Sequence, residues 1–502
     1  MNMLWTKNGQ ERRGIGWLAS GLLLAGSILS GSVLGAQEDG APPEKKWANA
    51  VERLAQPLID RRVVPSLVIG FYDRGEIEIY GLGRWSKDDS TPPNGRTIYE
   101  IGSVTKVLTA VLLAEADRRE EVALEDSLGK WLPEGVSEPR FEEKSITLED
   151  LATHRSALPR IPPGIPSFDL TDPYAEFTRD RLYEFLGAHE LTRAPGVEYE
   201  YSNLAVGLLG QLLSDRAGQS YPELLEERIA RPLGLVDTTV SLSAEQAKRA
   251  AAPHRDRLAM RPWQFGALCG CGGVRSTVED LLRFIDATAR GTNSTVAASP
   301  QRAGLPEQID AGLTASLKKV TETVHPGMAL GWHVAGDRST IHHMGQTGGF
   351  SAGVLFHPRI GKGVVVLANG ATSHVDRLAE KLIQTMFGMP VAEPEYPEEI
   401  EVGEKALAQV VGTYVCPFFE IEVTVREGAL FAQLTDQLAY RVYPRRVGEG
   451  VRYFYRDLPA ELEFRFDESK EEESKEPSDA EAAAATQVVL HQGGREFICE
   501  RR

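Results

Sequence analysis

Apolar and polar residues alternate with the period of β-strands near both ends of the first 390 residues, and they follow a helical spacing in between. The alternating runs predict strands at residues 66–72, 76–80, 331–335, 340–343, 353–357 and 363–367. The helical spacing predicts helices at residues 45–61, 103–118 and 375–387. Residues 120–300 are predicted to be mainly helical, with clear helices at 148–153, 204–216, 221–229 and 278–288. Strands on both sides of a helical middle predict an α+β fold, with one sheet built from distant segments and a helical subdomain inserted.

A second region follows a stretch rich in Pro and Glu at residues 390–399. This composition is typical of a linker, which we place at 391–404 between a domain of residues 45–390 and a domain of residues 405–502. Short strands predicted at residues 420–425, 429–434, 440–444, 451–455, 462–466, 487–491 and 497–499 favour an antiparallel sheet closed into a small β-barrel. The acidic run at 467–485 predicts a disordered insertion in one hairpin of this barrel.

The N-terminus has the pattern of a targeting segment. Lys7, Arg12 and Arg13 precede an uncharged, largely apolar stretch that ends in small residues before residue 37. This order predicts a secretory signal peptide over residues 1–36, and therefore a periplasmic or secreted protein. The alternative is an uncleaved anchor, in which case the chain would stay attached to a membrane.

Composition narrows the function classes. The 502 residues contain 55 Lys and Arg against 72 Asp and Glu, which gives a net charge of −17. An acidic chain of this kind is not expected to have nucleic acid or anionic lipid as its main partner. Four cysteines are too few for a disulfide scaffold of this length. The histidines are scattered and no H-E-x-x-H motif occurs, so we predict neither a metal site nor a cofactor.

The sequence Ser103-Val104-Thr105-Lys106 is the first candidate for chemistry. A serine hydroxyl needs a nearby base before it can act as a nucleophile, and residues i and i+3 share one face of a helix. Ser103 at the start of the predicted helix could also hold an oxyanion with its backbone N–H. Lys106 lies among apolar residues, where burial favours the unprotonated amine that a base requires.

The tetrapeptide by itself is weak support, because roughly one or two chance matches are expected in a chain of this length. Ser316-Leu317-Lys318-Lys319 is such a match. Gly349-Phe350-Ser351-Ala352-Gly353 fits a nucleophile elbow, but that motif needs a helix after the serine and here a strand follows. Two further motifs distinguish Ser103: Tyr201-Ser202-Asn203 and His343-Met344-Gly345-Gln346-Thr347 follow it in that order.

These three motifs resemble those of the serine β-lactamases and penicillin-binding enzymes, in particular the class C β-lactamase-like branch. The resemblance extends to residues 99–102, 146–154, 194–196 and 272–277, and covers about residues 45–390. Residues 153–160 (THRSALPR) and 227–239 are most similar to D-Ala-D-Ala carboxypeptidase/endopeptidase-type members. Val411-Gly412-Thr413-Tyr414 resembles the start of the lipocalin-like β-domain appended to many members. The implied fold is a β-lactamase/transpeptidase-like α+β domain followed by a β-barrel.

The resemblance implies a role for each matching residue. Ser103 would be the acylated nucleophile, Lys106 its base and Tyr201 a proton relay. Asn203 would bind either the substrate amide or Lys106. The backbone N–H groups of Ser103 and Gln346 would form the oxyanion hole. Gly345 would let a substrate lie along the strand, and His343 and Thr347 would help to hold its carboxylate.

Two positions depart from the family pattern. His343 stands where a lysine is usual and is expected to be largely neutral at pH 7, which weakens the positive field for a carboxylate. Met344 replaces a threonine, which removes a hydroxyl and makes affinity for β-lactams less certain. His343 could also be only a structural residue of the site wall, and His342 is not assigned a role.

The leading hypothesis is a secreted serine hydrolase that forms an acyl-enzyme on D-Ala-D-Ala-type peptidoglycan peptides. A family esterase acting on small esters is the second hypothesis, and turnover of β-lactams is the third. A non-catalytic penicillin-binding sensor or scaffold is the alternative of another class. In each case the partner would be a small molecule or a peptide.

The remaining cysteines bear on the second domain. Cys269 and Cys271 are predicted to be small residues of a loop, whereas Cys416 and Cys499 lie near its two ends. Closing a barrel brings its first and last strands together, and secretion permits oxidation. We therefore predict a Cys416–Cys499 disulfide.

Overall fold

A computed structural model describes residues 45–86, 91–162, 165, 172–292, 309–435, 437, 439–467 and 484–502. The predicted signal peptide lies outside the described residues, as does most of the predicted acidic insertion. Within the described part of the chain, no helix has the length and apolar character needed to cross a bilayer.

The described residues form an antiparallel sheet with its flanking helices, three two-stranded sheets and a separate barrel. The strands are β1 Ser66–Asp73, β2 Glu76–Gly83, β3 Tyr99–Glu100, β4 Arg140–Phe141, β5 Lys144–Ser145, β6 His254–Arg255, β7 Leu258–Ala259, β8 Arg275–Ser276, β9 Thr323–His325, β10 Met328–Ala329, β11 His333–Val334, β12 Ile341–Gln346, β13 Ser351–His357, β14 Lys362–Ala368, β15 Gly412–Val415, β16 Glu420–Arg426, β17 Ala429–Leu434, β18 Ala439–Val447, β19 Gly450–Phe454, β20 Ala460–Arg465, β21 Gln487–Gln492 and β22 Arg495–Arg501.

The helices lie mainly between β2 and β9. They are α1 Ala48–Leu54, α2 Gln56–Asp60, α3 Thr105–Arg118, α4 Leu148–Ala152, α5 Arg179–Ala188, α6 Asn203–Ala217, α7 Tyr221–Leu225, α8 Arg231–Leu233, α9 Ala244–Ala247, α10 Cys269–Gly272, α11 Val278–Thr292, α12 Ala311–Lys319, α13 His374–Met386 and α14 Glu404–Val410. Short 3₁₀ turns occupy Gly102–Val104, Leu128–Lys130 and Gly266–Leu268, and a π-helical turn at Glu226–Ala230 joins α7 to α8.

One antiparallel sheet carries the first domain, in the order β2-β1-β14-β13-β12-β11-β10-β9. The N-terminal strand β1 pairs with β14, with Leu67 opposite Ala368. Residues about 300 positions apart in sequence are therefore neighbours in the sheet, which confirms the prediction of one sheet built from distant segments. All neighbouring strands of this sheet pair in the antiparallel direction.

Both faces of this sheet are covered, because successive side chains of a strand point to opposite sides. On β1, Leu67, Ile69 and Phe71 pack in one core with α1, α2 and α13. Val68 and Tyr72 pack in the other core, with α3, α6 and α11. All eight residues of β1 are buried as a result. The larger core contains α3 and the turn before it, where the candidate nucleophile Ser103 lies.

The second domain is a closed barrel of eight antiparallel strands, β15 to β22, each paired with its neighbours in sequence. The first and last strands close it, with Tyr414 opposite Arg501. Cys416, directly after β15, forms a disulfide with Cys499 of β22, as predicted. The family-type fold and the barrel expected from the sequence are both present.

Several element predictions were wrong in detail. Residues 45–61 form two helices rather than one, because Pro57 interrupts the pattern and α2 begins at Gln56. The strand predicted at 331–335 is reduced to His333–Val334. The region 120–300 contains extended loops and short two-residue strands between its helices. In the barrel, β15 was not among the seven predicted strands, since its four residues are too short for a clear alternation.

Candidate active site

Ser103 lies in a tight turn directly before α3. The turn depends on Gly102, whose φ of +49° lies in the left-handed region that favours glycine. The same glycine touches β12, because a Cβ on Gly102 would come within 2.7 Å of the backbone nitrogen of Gln346. Ser103 therefore opens a helix, as predicted, but through a 3₁₀ turn pressed against the edge of the sheet.

Lys106 follows one turn later and is completely buried. Its Nζ lies 3.0 Å from Ser103 Oγ, 2.9 Å from Asn203 Oδ1 and 2.7 Å from the carbonyl oxygen of Cys271. An ammonium group would donate to all three oxygens. A neutral amine has two N–H bonds and one lone pair, so it could donate to Asn203 and Cys271 and accept the Ser103 Oγ–H.

Tyr201 reaches the same hydroxyl from a distant part of the chain. Its phenol OH donates to Ser103 Oγ at 2.8 Å. The neighbouring Ser202 fixes this loop: its N–H donates to His154 Nδ1 at 3.1 Å and its Oγ donates to the Pro159 carbonyl at 2.7 Å. The Lys106 Nζ and the Arg160 guanidinium each lie 4.9 Å from the centroid of the tyrosine ring.

Asn203 uses both ends of its side chain within the protein. Its Oδ1 accepts from Lys106, and its Nδ2 donates to the hydroxyl of Tyr174 at 3.1 Å. The two partners expected for Asn203 were a substrate amide and Lys106. The structure shows the hydrogen bond to Lys106, which orients the amine. Tyr174 was not singled out from the sequence, and its spacing carries no signal that would have identified it.

Strand β12 forms the opposite wall and supplies the third motif. A Cβ on Gly345 would lie only 2.0 Å from the Ile101 carbonyl oxygen and 3.1 Å from the Ser103 nitrogen. Glycine at this position therefore allows β12 to approach the turn that contains Ser103. This is a different requirement from the expected one, in which glycine makes room for a substrate.

The register of β12 directs the Gln346 N–H into the cleft. The Thr347 N–H donates to the Phe350 carbonyl at 3.0 Å, so the next pair, Gln346 with Ser351, is not hydrogen-bonded across the strands. The Gln346 N–H consequently points away from β13. Ser103, Gln346 and Thr347 all line the same cleft.

Three histidines lie beside the Tyr201 ring, His154, His333 and His343, and His342 stacks on His333. Burial, reinforced by His333 and then by Lys106, holds the pKa of His343 well below its usual value. Burial, followed by the neighbouring His342, lowers the pKa of His333 to about 4. His343 is therefore neutral at pH 7, as expected from the sequence.

The tautomer of His343 follows from its hydrogen bond. Its Nδ1 lies 2.8 Å from the Met344 carbonyl oxygen, which can only accept, so Nδ1 carries the proton. The Nε2 lone pair of His343 is buried and has no hydrogen-bond partner within the described residues. His343 can therefore act as a hydrogen-bond acceptor in the site but not as a fixed cation.

The cleft that joins these residues has a volume of about 620 Å³. Its wall contains every residue predicted for the site except the buried Lys106. It also contains residues that the sequence analysis did not assign to the site: Arg160, Ile161, Ile165, Pro173, Tyr174, Arg255, Trp263, His333, His342, Met344, Ser373 and Asp376. Arg160 is the last residue of the THRSALPR segment, so the family resemblance of that segment could have identified it. Arg255, Ser373 and Asp376 lie in segments that contain no motif.

The serines of the two competing motifs, Ser316 and Ser351, lie outside the cleft. Ser316 is buried in α12, and its Oγ donates to Glu115 Oε2 at 2.8 Å. Ser351 begins strand β13, and its Oγ donates to the Thr372 carbonyl at 3.0 Å. The strand after Ser351 confirms that this motif is not a nucleophile elbow. Among the described residues, no group of three metal-ligating side chains is placed to hold a metal ion.

Comparisons with known proteins place the chain in a family. Residues 51–384 match the family model described as Beta-lactamase. The D-alanyl-D-alanine-carboxypeptidase/endopeptidase AmpH of Escherichia coli is 32% identical over 244 residues, which cover 47% of this chain and 61% of that protein. The chain thus spans about three fifths of the length of that relative. A protein named Beta-lactamase from Escherichia coli is 27% identical over 342 residues, covering 64% of this chain and 88% of that protein.

Solved structures show the same fold. The crystal structure of a beta-lactamase/D-alanine carboxypeptidase from Yersinia pestis superimposes with a TM-score of 0.56 at 25% identity, covering 68% of this chain and 98% of that one. A class C beta-lactamase superimposes with a TM-score of 0.58 at 22% identity, over 68% of this chain and 96% of that one. The family match ends at residue 384, before the barrel begins.

Proposed function

Because this chain belongs to the beta-lactamase family of serine hydrolases, we propose that it hydrolyses its substrates through an acyl-enzyme on Ser103. One observation carries the proposal. The Ser103 hydroxyl lies within hydrogen-bond distance of a buried amine and of a phenol, at 3.0 and 2.8 Å, on the wall of an open cleft. A nucleophile needs such a base in direct contact.

Acylation begins with the loss of the Ser103 Oγ–H proton to the lone pair of Lys106. The Oγ then forms a bond to the substrate carbonyl carbon, while the carbonyl π electrons move onto the oxygen. The N–H groups of Ser103 and Gln346 hold this oxyanion. When the tetrahedral intermediate collapses, the bond to the leaving group breaks, and Tyr201 passes it a proton that Lys106 replaces. A water molecule then releases the acyl group by the reverse path.

The substrate class that we propose is a peptide ending in D-Ala-D-Ala. Two relatives carry D-alanine carboxypeptidase in their names. The cleft also offers the guanidinium groups of Arg160 and Arg255 for a carboxylate, in place of the cation that neutral His343 cannot supply. Small esters are the second candidate, because Ile161, Ile165 and Met344 give part of the wall an apolar surface. Turnover of β-lactams ranks third.

The test compares wild type with Ser103→Ala in burst kinetics and intact-mass spectrometry. Wild type should show a stoichiometric burst with an activated ester and a mass adduct on the peptide containing Ser103. The Ser103→Ala variant should lose both. Ser316→Ala, in the second S-x-x-K sequence, is the matched control and should retain the burst, since Ser316 contacts Glu115 rather than the cleft.

The outcomes separate the candidate functions. Release of D-alanine from a D-Ala-D-Ala peptide supports the carboxypeptidase, and turnover of esters alone supports the esterase. A stable penicillin adduct on Ser103 without any turnover would indicate a non-catalytic sensor. Equal hydrolysis by wild type and Ser103→Ala would refute the proposal.

We also propose that the protein is exported. The signal pattern of residues 1–36 supports this, and so does the Cys416–Cys499 disulfide, which requires an oxidising compartment.

A further inference from the structure

The loop between β19 and β20 of the barrel contacts the first turn of α13. The carboxylate Oδ1 of Asp457 accepts a hydrogen bond from the Thr372 hydroxyl at 2.5 Å and another from the Ser373 N–H at 3.0 Å. The neighbouring Arg456 carbonyl accepts from His374 Nε2 at 2.8 Å. Three consecutive residues at the start of α13 are thus bound by two consecutive residues of the barrel.

This contact completes the N-terminus of α13. Ser373 occupies the N-cap position, but its side chain makes no capping hydrogen bond. The Thr372 hydroxyl accepts from the His374 N–H at 3.2 Å, and the same hydroxyl donates to Asp457. The Asp457 carboxylate also accepts from the Ser373 N–H, at the helix end where a negative charge is favoured. A residue more than 80 positions later in the chain therefore helps to order this helix end.

The same turn forms part of the catalytic cleft. Ser373 and Asp376 line it, and the hydroxyl of Ser373 is buried without a hydrogen-bond partner in the described structure. Burial, followed by the neighbouring Glu380, raises the pKa of Asp376 to about 7. Met344 of the cleft packs in the same core as α13, whereas Ser103 is hydrogen-bonded to Lys106 and Tyr201. Ser373 and Asp376 can therefore contact a substrate without taking part in proton transfer.

A second contact holds another part of the wall. Arg255, on the β6–β7 hairpin, lines the cleft, and its guanidinium lies 5.8 Å from the ring centroid of Tyr440 in the barrel. Beside it, Arg257 pairs with Glu399 at 2.8 Å, and Glu399 pairs with Arg456 at 3.0 Å. The barrel thus contacts two of the segments that bring unassigned polar residues to the cleft.

We propose that the barrel is a structural part of the catalytic cleft, with Asp457 as a positioning residue for the wall formed by Ser373 and Asp376. The barrel then controls which substrates bind, because this wall contacts the parts of a substrate that lie away from the reacting carbonyl. This inference rests on the proposed hydrolase function but not on the identity of the substrate.

The test uses Asp457→Ala in the full-length protein with two esters of one leaving group. 4-Nitrophenyl acetate occupies only the space around Ser103, whereas the 4-nitrophenyl ester of an N-acylated dipeptide extends along the cleft. For the long ester, KM should rise about tenfold with kcat changed less than about twofold, as expected for a lost charge-assisted hydrogen bond. For the acetate, both constants should stay within about twofold of wild type.

Two variants control for general damage. Asp457→Asn keeps the Oδ1 acceptor and should restore most of the affinity for the long ester, which a purely electrostatic or folding effect would not explain. Glu449→Ala removes an exposed acid of the β18–β19 turn of the same barrel and should behave as wild type. Equal losses with both esters, or an Asn variant as impaired as the Ala variant, would overturn the inference.

Hydrogen exchange gives a readout that does not depend on activity. In Asp457→Ala, amide exchange at residues 372–377 should accelerate relative to wild type, while exchange in α3 stays unchanged. Unchanged exchange at 372–377 would refute the positioning role even if the enzyme proved inactive on every ester. Absence of any burst in the wild type, with accelerated exchange in the variant, would instead refute the proposed function alone.

Discussion

The residues around Ser103 place one amine in direct contact with its hydroxyl and surround the pair with neutral imidazole rings. Lys106 is buried beside Ser103, whereas burial keeps the pKa values of His154, His333 and His343 low, so these rings stay neutral at pH 7. Lys106 contributes to each of these shifts, and protonated histidines here would in turn oppose a charge on Lys106. The histidines therefore give Tyr201 an aromatic, uncharged environment instead of competing with the amine.

We expect Tyr201→Phe to lower kcat by about 10²- to 10³-fold with little change in KM, because it removes a proton donor from Ser103 Oγ and leaves the cleft shape intact. Burst kinetics with an activated ester measure this. Tyr199→Phe is the matched control: Tyr199 also contacts His154 and His333, but its side chain is 46% exposed and forms no part of the cleft wall. A similar loss in both variants would count against a relay at Tyr201.

At the scale of elements, the site depends on how closely β12 approaches the turn before α3. Gly345 of β12 faces the turn before α3, and Gly102 of that turn faces β12. A side chain larger than hydrogen at either position would force the two backbones apart. This approach brings the N–H groups of Ser103 and Gln346 to one edge of the cleft. The oxyanion hole that we propose therefore depends on two elements in contact and not on either one.

Gly345→Ala should consequently reduce the acylation rate by about 10²-fold or more, as found when one oxyanion donor is lost. The added Cβ would collide with the Ile101 carbonyl oxygen, so the thermal unfolding midpoint should fall as well. Gly336→Ala, in an exposed loop where a Cβ would meet no atom within 4 Å, should change neither quantity. Normal acylation by the folded Gly345→Ala variant would contradict the assigned geometry.

At the scale of the whole molecule, the chain joins a family domain to a barrel that the family match does not include. The resemblance predicted from the ordered motifs is confirmed by that match over residues 51–384. The barrel is closed by the pairing of β15 with β22 and by the Cys416–Cys499 disulfide next to it. The two free cysteines, Cys269 and Cys271, lie in α10 of the other domain.

Reduction of the disulfide should destabilise the barrel by about 2–4 kcal/mol, since it releases a loop with a sequence separation of 83. Hydrogen exchange should accelerate in β15 and β22, while hydrolysis of a short ester persists. The Cys416→Ser/Cys499→Ser variant should show this exchange without reductant and respond no further to it. An identical response of wild type and variant to reductant would argue against the bond. Titration of the denatured, unreduced wild type should find two thiols.

Sequence patterns identified the elements with long, regular periodicity, such as α3, β13 and β14, to within a few residues. They were less accurate where regular structure is short or tertiary contacts set its limits. The helix predicted at 45–61 is divided at Pro57, and β15 is too short to show an alternation. A two- or four-residue strand exists because a partner strand lies beside it, and local spacing contains no record of that partner.

The sequence by itself determined the chemical groups of the site and their order: a serine and a lysine one helical turn apart, then a tyrosine, then a glycine-containing strand. Local spacing sufficed for the Ser103–Lys106 pair, because helical geometry places residues i and i+3 together. Only the tertiary structure decided the rest. It brought Tyr201 to Ser103 and directed the Gln346 N–H into the cleft. It also placed Arg255, Ser373 and Asp376 along the cleft and brought Asp457 of the barrel to the Ser373 N–H. Such contacts form between segments far apart in sequence, and they depend on packing that no single segment encodes.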